Sequence, residues 1–85
     1  MDQSELIKLM EQWQQTEPQI YKSNIKAICF QKGIKPRHII KELNISDAMV
    51  YSFVNVTHKA RIEFIMALKL AEYLKCDVKD FLKNV

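Results

Sequence analysis

The sequence predicts an all-α domain, and three observations predict it. Apolar residues recur at helical spacing along most of the chain instead of alternating. One glycine and two prolines in 85 residues are too few for a turn-rich all-β fold. The apolar stripes are bracketed by residues that start and stop helices. One domain is expected at this length, with one modest core. An apolar content of 48% is enough to fill it.

Residues 4–15 read as an amphipathic helix. Asp2 with Glu5 fits a capping box, and Leu6, Leu9, Met10 and Trp13 form one stripe with Ile7 at its edge. Thr16-Glu17-Pro18 ends this helix, because the residue before proline avoids the helical region. Residues 16–22 are then a connection, so residues 1–22 form an N-terminal unit and 23–85 the main domain. Ser23 can cap the second helix, which runs to about Lys32 with Ile25 and Ile28 or Cys29 inward. Gly33 follows it as a left-handed stop, and Ile34 closes that cap.

Pro36 opens a third helix that ends near Leu43, with Ile39, Ile40 and Leu43 on its stripe. Asn44 is the next-best left-handed stop, Ile45 packs down, and Ser46 caps a fourth helix over 47–54. So short a connection makes the two helices cross sharply. Residues 55–60 form a loop or a frayed helix start. The longest helix is expected at 61–74, with Ile62, Ile65, Leu68 or Met66, Leu70 and Leu74 inside. Cys76 packs down, Asp77 caps, and Val78, Phe81 and Leu82 sit on a short last helix.

The N-terminus shows no basic, apolar leader pattern and no segment is long and apolar enough for a membrane span, so a cytoplasmic protein is expected. Cys29 and Cys76 stand alone and read as small buried hydrophobes. His38 and His58 have no partners at zinc-ligand spacing. Glu63 and Glu72 read as surface charges, and Trp13 as packing. No nucleophile–base pair, phosphate loop or metal set is visible. The expectation is therefore a non-enzyme without a cofactor.

Charge is unevenly spread. Residues 1–20 hold one lysine against four acids, a net −3. Residues 21–61 hold eight bases against two acids, a net +6. A basic middle in a short chain is the footprint of a polyanion partner, or a solvated charged face.

From Asn24 to Leu82 the chain resembles the Cro/CI-type (XRE-like) helix-turn-helix repressors. The stretches that carry the resemblance are IKAICFQKGIKPRHIIKELNISDAMVY and IEFIMALKLAEYLKCDVKDFL. Within them, KGI closes the first family helix, LNIS makes the turn, and LAEYLKCDVKDF covers the last two helices. The resemblance implies a compact five-helix, lambda-repressor-like DNA-binding domain at 23–85 carrying an extra N-terminal amphipathic helix.

It further implies a sequence-specific regulator of transcription, a repressor of phage or mobile-element type that acts by occupying a promoter. Its partner would be double-stranded DNA, bound as a homodimer on a palindrome. The helix after Ser46 would enter the major groove. Base-edge candidates are then Asp47, Ala48, Met49, Tyr51, Ser52 and Asn55, with Val50 and Phe53 facing the core. Phosphate candidates are Lys35, Arg37, Ser46, Thr57, His58, Lys59 and Arg61.

The chain departs from the family at several points. Lys35 and Pro36 stand where relatives often have glutamine, Ile40 replaces a small residue, and Asn44 replaces a turn glycine. An arginine–glutamate pair common in relatives falls on Cys29 and Val54. Joint loss of both charges is coherent if the two positions lie close in the core. The recognition segment SDAMVYSFVNV holds no lysine or arginine. Thymine methyls could meet Ala48 and Met49, and adenine could meet Asn55, which favours an A·T-rich site. The alternative is a protein-binding module in which Ala48, Met49, Tyr51 and Val56 form an apolar docking patch.

Overall fold

The computed structural model describes residues 2–83. Five α-helices follow one another: α1 Gln3–Gln15, α2 Pro18–Lys32, α3 Pro36–Leu43, α4 Asp47–Val54 and α5 Phe64–Leu74. A 3-10 helix, Val78–Phe81, comes last. The all-α expectation holds, and no strand occurs among the described residues. None of the helices is long and apolar enough to cross a membrane.

The helix ends obey local chemistry. The Asp2 carboxylate accepts the Glu5 N–H at 2.8 Å at the start of α1. Gly33 ends α2 with φ +68°, and the Ile34 N–H reaches back to the Cys29 carbonyl at 2.9 Å. Asn44 ends α3 with φ 52°. The Ser46 hydroxyl accepts the Met49 N–H at 3.3 Å and caps α4. Asp77 accepts from the Lys79 N–H at 3.1 Å and caps the 3-10 helix.

Two boundaries differ from expectation. The connection expected at 16–22 is only Thr16 and Glu17, and α2 starts at Pro18 rather than after Ser23. Proline suits a first helical position because its fixed φ matches and its missing N–H is not needed. Ser23 is an exposed residue inside α2. The second difference is α5, which begins at Phe64 rather than near residue 61. The backbone of Ile62 is engaged elsewhere. Its N–H donates to the Tyr21 hydroxyl at 2.9 Å, and its carbonyl accepts from Trp13 Nε1 at 2.7 Å.

The core is centred on Trp13. Its ring stacks on Tyr21 with centroids 4.0 Å apart and meets Phe64 and Phe81 edge-on or tilted at 6.2 and 6.4 Å. Helix α1 packs on α5, α2 packs on α4, α5 and the 3-10 helix, and α3 packs on α4. The inward stripe of α5 is Ala67, Leu70, Ala71 and Leu74. Ile65, expected inside, is 66% exposed. The two alanines occupy the centre of that face, where a small side chain lets neighbouring helices approach. On α1 only Leu9 and Trp13 are buried, while Leu6, Ile7 and Met10 remain partly open to solvent. Cys29 is buried on α2, and Val54 packs half-buried against the same core from α4.

Candidate nucleic-acid interface

The site is built on the α3–turn–α4 unit. Pro36 starts α3, and Ile39 buries completely and fixes its roll. Asn44 turns the chain through the left-handed region, which asparagine tolerates better than most residues. Ile45 packs against the core and Ser46 starts α4. Val50 and Phe53 then anchor α4 inward. Asp47, Ala48, Met49 and Tyr51 consequently face solvent on one side of α4.

The remaining base-edge candidates are partly committed. The half-buried Ser52 donates its hydroxyl to the Met49 carbonyl at 2.7 Å. Asn55 Oδ1 accepts from the Thr57 N–H and hydroxyl at 3.2 and 2.8 Å. Its amide NH2 group is the part left to reach outward. Alongside α4 lies an open groove of about 500 Å³, walled by Met49, Phe53 and Met66 and edged by His58, Arg61 and Glu63.

The phosphate candidates fall into two groups. Lys35 and Arg37 are exposed at the start of α3. The Lys35 N–H donates to His38 Nδ1 at 3.0 Å, which leaves His38 Nε2 pointing away from that bond. Ser46, Thr57, His58, Lys59 and Arg61 are exposed at the start of α4 and along the 55–63 loop. The Ser46 oxygen accepts the capping bond, so its hydroxyl hydrogen stays available. Arg61 is not a free cation. It donates to the Trp13 and Gln14 carbonyls at 2.7 and 3.1 Å, and its guanidinium lies 5.9 Å from the Tyr21 ring centre.

One basic residue counted in the charged middle is absent from the surface. Lys22 is fully buried on α2, and its Nζ donates to the His58 carbonyl at 2.7 Å. Desolvation lowers its pKa from the ordinary lysine value. Sequence reasoning missed this because α2 was expected to begin after it. Once Pro18 opens the helix, Tyr21, Lys22, Ile25 and Cys29 fall on a single helical stripe.

The thiols are poorly suited to nucleophilic chemistry. Burial, with Cys76 nearby, pushes Cys29 up to about 11, so it is protonated at neutral pH. Cys76 is raised chiefly by burial as well. Among the described residues no cluster of three or more His, Cys, Asp or Glu side chains gathers at metal-binding distance.

No family model, no curated protein and no solved structure matches this chain.

Proposed function

We propose that the chain is a sequence-specific double-stranded DNA-binding regulator of the Cro/CI helix-turn-helix type, a repressor acting by promoter occupancy. The observation that carries this reading is the α3–turn–α4 unit. Asn44 and Ser46 set a tight turn, and Val50 and Phe53 hold α4 so that one face stays free. An α-helix presented in this way fits the major groove. Lys35, Arg37 and Lys59 flank it as exposed cations that can neutralise phosphates. A homodimer would place two such helices on a palindrome about one helical turn apart.

The apolar character of α4 favours one other reading. Met49 and Tyr51 are 43% and 54% exposed, and α4 carries no basic side chain. That face would also suit a protein partner.

Selection from a random duplex library at roughly physiological salt separates the two readings. Enrichment of a short palindrome, with binding that weakens steeply as salt rises, supports the DNA reading. Failure of folded protein to enrich any sequence would reject it and leave the α4 face as a protein-docking surface.

A further inference from the structure

The chain between α4 and α5 has no regular structure apart from a turn at residues 56–57, yet it is held in place. Its outer part is wired to itself. The His58 N–H donates to the Asn55 carbonyl at 3.0 Å, and the Ala60 N–H donates to His58 Nδ1 at 3.3 Å. Its inner part is gripped by residues from the first two helices, distant in sequence. Trp13 and Tyr21 take both backbone groups of Ile62, Arg61 reaches back to the end of α1, and Lys22 holds the His58 carbonyl. Thr57, His58, Lys59 and Arg61, the candidates for phosphate contact, all lie on this gripped segment.

Lys22 is the informative member of the grip. Its side chain is fully buried, and the only ion pair among the described residues joins Lys83 to Asp80, not Lys22 to a carboxylate. A buried ammonium without a carboxylate is unfavourable, and an apolar side chain of similar volume often serves stability better. Core packing alone therefore gives no reason for lysine here. An ammonium does one thing that an apolar chain of the same length cannot do. It ties a carbonyl in the middle of residues 57–59 to the rigid α2.

We propose that the α1–α2 corner is a positioning device for the 57–61 segment, with Lys22 as the residue that sets where Thr57, His58 and Lys59 stand relative to α4. This rests on the DNA-binding reading above, and it gives the N-terminal helix a role in binding as well as in the core. A loop held before DNA arrives loses less conformational freedom on binding. The buried lysine trades some stability for that order.

The test compares the full chain with its Lys22→Met, Tyr21→Phe and Lys59→Ala variants on a short mixed-sequence duplex over a range of salt. Lys22→Met is expected to keep or raise the melting temperature and to speed amide exchange at residues 58–62. It is also expected to weaken duplex binding roughly tenfold and to reduce the slope of log affinity against log salt by about one. Tyr21→Phe keeps the stacked ring but loses its bond to the Ile62 N–H. It should shift binding in the same direction by a smaller factor, and it decides the matter if Lys22→Met does not fold. Binding by the wild type that Lys59→Ala weakens and both corner variants leave intact would overturn the positioning role while sparing the DNA reading. A Lys59→Ala variant that binds like the wild type would overturn it by removing the loop from the interface. A wild type that binds no duplex at low salt would overturn the DNA reading itself, and this inference with it.

Discussion

Burial acts on Cys29 and Lys22 in the same physical way and with opposite sense. Desolvation penalises a charge in both, so it raises the thiol and lowers the ammonium. For Cys29 the consequence is a pH-dependent stability. Its pKa rises from 9.0 to about 11 on folding, so the folded state holds the proton more tightly than the unfolded one. That contribution is complete below about pH 9 and disappears as pH rises through about 11. Cys29→Ala lacks it and carries instead a pH-independent packing loss. The stability advantage of the wild type over Cys29→Ala should therefore shrink between about pH 8 and about pH 11, by on the order of 2 kcal/mol. Urea titrations of both proteins across that range measure it, and parallel pH profiles would refute it. The same burial suits a small, uncharged, weakly polar side chain at this position. Position 29 faces the core, and Val54 packs against that core from α4.

Helix ends are the scale at which local sequence speaks most directly. Among the described residues three sit in the left-handed region, Gly33, Asn44 and Lys75, with φ of +68°, +52° and +56°. Glycine and asparagine were legible as stops because they tolerate that region. Lys75 was not, because nothing about lysine favours it. The end of α5 instead holds it there. The Cys76 N–H bonds to the Ala71 carbonyl at 3.0 Å and the Lys75 N–H to the Glu72 carbonyl at 3.2 Å. Substitutions at the two extremes should therefore act with opposite sign. Gly33→Ala meets no atom within 4 Å of the new Cβ, so its cost is backbone strain alone, about 1 kcal/mol. Lys75→Gly relieves the corresponding strain and should stabilise by up to about 1 kcal/mol. Either change would move the melting temperature by roughly 4–8 °C in a domain of this size, down for the first and up for the second. A drop for Lys75→Gly would show that its charge or side chain matters more than its φ.

For the whole molecule, the N-terminal helix is part of a single core. Trp13 is 2% exposed, stacks on Tyr21 and bonds to the Ile62 carbonyl. Truncating a buried aromatic costs about 3–5 kcal/mol. Folding stability scales at roughly 0.05–0.15 kcal/mol per residue, so that loss is comparable with the total for a chain this short. Trp13→Ala should thus populate unfolded protein at room temperature, seen as lost helical circular dichroism. Ile7→Ser on the open side of the same helix should melt within a few degrees of the wild type. If Trp13→Ala stayed fully folded, α1 would be an appendage and the corner it forms with α2 could not hold the loop.

Most of what depends on near neighbours along the chain is legible in the amino-acid sequence, although the start of α2 at Pro18 and the left-handed stop at Lys75 are local features that it did not announce. Helical periodicity announced the all-α class. Pro36 and Asn44 marked boundaries through their backbone preferences, and Gly33, Ser46 and Asp77 through bonds spanning only a few residues. Val50 and Phe53 already defined the inner side of α4, and so left Asp47, Ala48, Met49 and Tyr51 outside. Tertiary structure alone decided what depends on partners dozens of residues away. It placed the start of α5 at Phe64, with the Ile62 carbonyl, which an earlier helix start would have used, given to Trp13 instead. It chose Ala67 and Ala71 over the bulkier Ile65 as the inward residues of α5, since close packing rewards fit as well as hydrophobicity. It also removed Lys22 from the basic surface and tied Arg61 to α1. Sequence reveals that a side chain is charged, but only the fold decides whether that charge meets water, a phosphate or a distant carbonyl.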